Sequence, residues 1–195
     1  MHYRRLACFL IGAWLAGSLF MAMVATQNFR SVDRLLAKPS PAASRSIQAL
    51  GQNGARALLR YHVSEQNRWY FENWEFMQLA IGLLLLMVLL FGSKETTFSL
   101  LVAAVMILIV VAERFILTPE IISLGRSIDF LPPDAPSLLR QRFWQFHSAY
   151  SSLELVKWAL AALLAVRLFR RRQRLAQGLG EFHVVHKADH RHVNG

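Results

Sequence analysis

Hydrophobic positions gather in four long blocks along the chain. The first, 6–26, reads "LACFLIGAWLAGSLFMAMVAT" and carries no charge. The second covers about 74–91 and is dominated by "LAIGLLLLMVLLF". The third covers about 97–117 and the fourth about 148–169. Each is close to the ~20 residues a helix needs to cross ~30 Å of hydrocarbon. Strands of a membrane barrel would be half as long and would alternate. The pattern predicts an all-α integral membrane four-helix bundle, 1–172, with helical loops outside the bilayer.

Block one could be a cleaved signal peptide, since Arg4 and Arg5 precede it. Its apolar run exceeds the ~7–15 residues of a typical signal core, and Met23 occupies a position that wants a small residue. Retention as a helix is expected.

The segments between blocks also have a pattern. "NFRSVDRLLA" prolongs the first helix through Phe29, Val32, Leu35 and Leu36. Pro39 and Pro41 then break it. The rest of the 27–73 loop is expected to be a helical lid lying on the membrane surface, too short for a core of its own. Trp69, Tyr70, Phe71 and Trp74 form an aromatic belt at the second crossing. Thr118 is placed to cap a short interfacial helix that starts at Pro119. "LPPDAPS" is a break before the last helix, which starts near Pro136.

Charge changes the picture in one respect. With 22 Lys and Arg against 12 Asp and Glu the net charge is +10. In a soluble chain that would suggest nucleic acid. Here the densest run, "RLFRRRQR", directly follows a membrane block, so Arg170 to Arg174 is expected to meet anionic lipid on the cytoplasmic side. No nucleic-acid partner is expected. Four crossings then put both termini in the cytoplasm of a bacterial inner membrane. Residues 173–195 form a basic, histidine-rich tail, expected to be flexible and without metal. The single cysteine, Cys8, excludes an internal disulfide.

Polar residues converge on the outer half of the bundle. At 100° per residue from His147, Ser151 falls at about 40° and Glu154 at about −20°, with Ala161 and Ala165 below them. This stripe is expected to face the bundle. Lys157, at about −80°, sits on the flank and is expected to snorkel to the interface. Glu75, Gln78, Glu113 and Arg114 reach the same level from other blocks. Glu154 lies roughly 9 Å below the start of its crossing, where a carboxylate facing lipid costs several kcal/mol. The expected pairs are Glu154 or Glu75 with Arg114, and Glu154 with Lys157. No nucleophile or metal-ligand motif accompanies them, so no catalytic residue is assigned. No histidine lies in blocks one to three, which argues against a haem of the paired-histidine type. No cofactor is expected. Small residues at Gly12 and Ala16, and at Ala13 and Gly17, suggest close helix packing.

Taken in order, "LIGAWLAGSLFMAMVATQNF", "LTPEIISLGR" and "FHSAYSSLELVKW" resemble the bacterial domain-of-unknown-function family related to transmembrane protein 205. The resemblance covers the chain up to about Arg172. It implies a four-helix integral membrane protein and singles out Pro119, Arg126, His147 and Ser151; Glu154 stands where the family often has asparagine. It supplies no reaction. The expected role is a non-enzymatic accessory or scaffold protein, working as a homo-oligomer or with a membrane-protein partner. The alternative is a small-solute or ion transporter or binding protein that uses the outer polar cluster.

Overall fold

In the computed structural model the described residues are 2–92, 97–131 and 137–192, with side chains described for 3–92, 97–131 and 137–170. The "PPDAP" break, Lys94 and the side chains of the basic cluster beyond Arg170 and of the tail histidines lie outside them. Every regular element among the described residues is helical. In chain order these are α1 (His2–Ala37), α2 (Pro41–Leu50), α3 (Gln52–Met87), α4 (Thr97–Ala112), α5 (Thr118–Ile128) and α6 (Leu138–His192).

Among the described residues three stretches are long and apolar enough to cross a membrane: Tyr3–Ala37, Gln52–Gly92 and Thr97–Ile128. The main core draws on four helices. Ala7, Leu10, Ile11 and Trp14 come from α1, Leu85 from α3, Ala103, Met106 and Val110 from α4, and Ala161, Leu164 and Leu168 from α6. Their three- and four-residue spacing turns one stripe of each helix inward. The opposite faces leave large apolar side chains uncovered, among them Phe9, Phe20, Leu84, Leu101, Leu108 and Leu163.

Two glycines allow the helices to approach. A Cβ on Gly82 would meet Ile107 and Trp14, and one on Gly17 would fall 2.1 Å from the Trp74 ring. Gly12 faces open space, and Ala16 beside it is exposed. The expected Gly12–Ala16 contact is therefore not made within the chain, because the α1 face that carries Ile11, Trp14 and Ser18 is the one turned inward. Ala161 and Ala165 do join the core, as the α6 stripe suggested.

The first loop is not a separate lid. Helices α1 and α3 are each 36 residues, or about 54 Å, far beyond ~30 Å of hydrocarbon. They run on past the apolar blocks and pack on each other. Val32, Leu36, Ala55 and Val63 form a second small core there, backed by Ile47 and Leu59. A loop too short for a core of its own thus gains one by prolonging two helices instead of folding separately. Ser40 accepts a hydrogen bond from the Ala43 amide with Pro41 in the first turn, which starts α2. The turn into α3 falls on Gly51 (φ +72), where a side chain would be strained.

Nor does Thr118 cap a helix. A π-helical turn, Glu113–Leu117, joins α4 to α5 without a break, so no free helix start exists at that point. A π turn shifts the helical register. Here it buries Glu113 and Thr118. A second π turn, Val88–Gly92, ends the α3 stretch.

Candidate functional site

Lys157 is the centre of the polar cluster. Instead of reaching the interface it is fully buried. Its flank of α6 faces α3 and the π turn, which bring Gln78 and Glu113 to it. The ammonium donates to Gln78 Oε1 (2.7 Å), to Glu154 Oε1 (2.8 Å) and to Glu113 Oε2. Three acceptors satisfy the three protons of a lysine. Gln78 Nε2 donates to Ser18 Oγ and to Glu154 Oε1, both at 3.2 Å. One connected network thus ties α1, α3, the π turn and α6.

The second half of the cluster is looser. Thr118 Oγ1 donates to Glu75 Oε1. Arg114 Nε lies 3.9 Å from Glu75 Oε2 and its NH1 lies 3.7 Å from Glu72. These are ion pairs without hydrogen bonds. The Arg114 guanidinium also lies over the Phe76 ring at 4.7 Å. The expected Glu154–Lys157 and Glu75–Arg114 pairs are both found. Glu154 binds Lys157 and Gln78, and the Lys157–Glu113 pair is the one the residue pattern did not propose.

The stripe above Glu154 has another role. His147 stacks on Phe143 at 5.7 Å and meets Trp144 edge-on. Ser151 Oγ donates to the His147 carbonyl of its own helix. Both residues line a cleft of about 510 Å³ between α1, α3, α5 and α6. From Ser18 to Phe29 along α1 the cleft extends about 16 Å by helical rise. Its walls include Met21, Ala22, Ile121, Ile122 and Leu155, and its deep end holds Trp74, Tyr150, Glu154 and Trp158. Phe71 packs edge-on against Tyr150 at 5.8 Å, so part of the aromatic belt turns inward. Sequence reasoning missed Ser18, Thr118 and Tyr150. A lone serine in an uncharged block and a tyrosine at a helix entrance carry no signal without their neighbours.

Arg126 belongs to a different group. Its Nε and NH2 both donate to Glu65 at 3.0 Å, and Arg68 bridges Glu65 to Asp129 (2.8 Å). This tether holds α3 to α5 and its C-terminal turn at the mouth of the cleft. Pro119 sits at the first turn of α5, so the four residues singled out by resemblance do not form one site. The tether lies beyond the apolar part of α3. The Arg126 hydrogen bonds, with Arg68 beside them, lower the Glu65 carboxyl from 4.5 to about 2. A lowered carboxyl pKa adds stability that is fully present above about 4.5 and is lost as pH falls toward 2. Glu65→Gln is therefore expected to flatten the acid limb of a stability-versus-pH curve in that window. An unchanged acid limb in thermal melts would show that the tether contributes nothing.

Comparison with family models, with curated proteins and with solved structures finds no match. The fold defines a class by itself: among the described residues, an all-helical protein with three membrane-length apolar helices.

Proposed function

We propose that this chain is a four-crossing protein of a bacterial inner membrane, with both termini cytoplasmic, that holds a small solute in the outer half of its bundle. The cleft beside the Lys157 network carries this reading. A site of a few hundred Å³ with mostly apolar walls and a few polar groups at one end is the usual form of a small-molecule site. The fourth crossing is α6. Its charged pair, Glu154 and Lys157, turns inward, while Val156, Leu163, Val166 and Phe169 remain uncovered for lipid. Beyond it, Arg170 to Arg174 would lie against anionic headgroups. The chain acts by binding rather than by catalysis. The hydroxyl of Ser151 is committed to its own backbone, and Lys157 is committed to three acceptors.

A second reading, an accessory or scaffold protein, is favoured by the same network, since it joins four segments of the bundle. Calorimetry in a non-ionic detergent separates the two. The probes share one apolar body: phenylbutanol, phenylbutylammonium and phenylbutanoate. Saturable heat from any of them, absent in Ala22→Phe, is the expected result. Equal behaviour of both proteins toward all three leaves the scaffold reading. Topology has its own check: a cysteine at Ser44, in a Cys8→Ser background, is expected to react with an impermeant thiol reagent from outside. Tags on both termini should stay protected, and a C-terminal tag exposed outside would remove α6 from the crossings.

A further inference from the structure

The deep end of the cleft is polar in a specific way. Tyr150 is 7% exposed and lines the cleft, its hydroxyl turned to the Glu75 carboxylate. Glu154 Oε2, an acceptor on the cleft wall, has no hydrogen-bond partner. A buried acceptor without a partner costs about 1–3 kcal/mol, so this oxygen calls for a donor from the cleft.

Charge states what kind of occupant. At this level Glu75, Glu113 and Glu154 face Lys157 and Arg114, and Glu72 shares Arg114, so carboxylates outnumber bases four to two. Lys157 has no proton left to offer. Arg114 is held between Glu72 and Glu75. Of the four acids, Glu154 is the one that lines the cleft. An anionic head placed there would crowd these carboxylates, and a neutral head would supply no counter-charge. A cation supplies one. Aromatic side chains around the same end, Phe71, Trp74, Tyr150 and Trp158, also favour an organic ammonium. Arg68, which also lines the cleft, is already shared by Glu65 and Asp129.

Resting on the solute-binding reading above, we propose that the cleft takes an amine or substituted ammonium with an apolar body, its positive head against Glu154 and Tyr150. The body lies along Met21, Ala22, Ile121, Ile122 and Leu155, toward the mouth. A zwitterionic lipid fits less well. Its phosphate would be carried down beside the carboxylates, and Glu154 lies roughly 9 Å below the level where lipid headgroups sit.

The same three probes test this by their ranking in the wild-type chain. Phenylbutylammonium is expected to bind about tenfold or more tighter than phenylbutanol, the worth of one charge-assisted hydrogen bond. Phenylbutanoate is expected to bind weakest. Glu154→Gln should remove the preference for ammonium over phenylbutanol. Ala22→Phe should abolish all three. The ranking is read without mutation, so it decides even if Glu154→Gln unfolds. Equal binding of the three probes, lost in Ala22→Phe, overturns the cationic ligand and leaves the cleft as a binding site. Binding that Ala22→Phe does not alter overturns both.

Discussion

Replacing Lys157 by methionine is expected to lower the unfolding free energy by about 3–5 kcal/mol, the cost of stripping one partner from a buried ion pair. Methionine fills nearly the same volume, so packing is not the cause. Removing the ammonium leaves Glu113 Oε2 and the Gln78 carbonyl oxygen without this donor, and Glu154 with the Gln78 amide alone. Adding Glu113→Gln to the same chain supplies an amide donor and removes one charge. The double variant is expected to recover most of the loss, and a double-mutant cycle on thermal melts in detergent reads the coupling. Arg114→Gln makes the contrast. Its pairs stand at 3.7 and 3.9 Å without hydrogen bonds, so its effect is expected to be the smaller. If Lys157→Met melts with the wild type, the network does not hold the helices together.

Gly17→Ala carries the second large effect. Its new Cβ would fall 2.1 Å from the Trp74 ring. Trp74 must then yield, and the open space beside it is the cleft it lines. Overpacking of this kind costs about 1–3 kcal/mol. The matched control is Gly12→Ala, one turn and a half earlier on α1, where nothing lies within 4 Å. Alanine there is expected to be neutral or to stabilise by up to about 1 kcal/mol, from helix propensity alone. Opposite signs for two glycine-to-alanine changes on one helix, with a shift in tryptophan emission only for Gly17→Ala, would establish the α1–α3 contact. Equal effects would show that the helices do not meet at Trp74.

The four apolar blocks, the all-helical class and the level at which polar residues gather were legible in the sequence by itself. Apolar length and 3.6-residue spacing are local properties, and a charge inside an apolar block is conspicuous wherever the helix later packs. The tertiary structure alone decided which polar groups meet. Lys157 sits on a flank of its own helix stripe, so its burial depends on α3 and the π turn covering that flank. That π turn, which brings Glu113 inward and denies Thr118 a capping role, follows from how α4 continues into α5 and leaves no mark in composition. The same holds for Gly12 and Gly17. Their sequence patterns are alike, and only the position of Trp74 on a partner helix makes one a contact and the other a surface. Local periodicity thus fixed the elements, while contacts between residues up to 79 positions apart in the chain fixed the site.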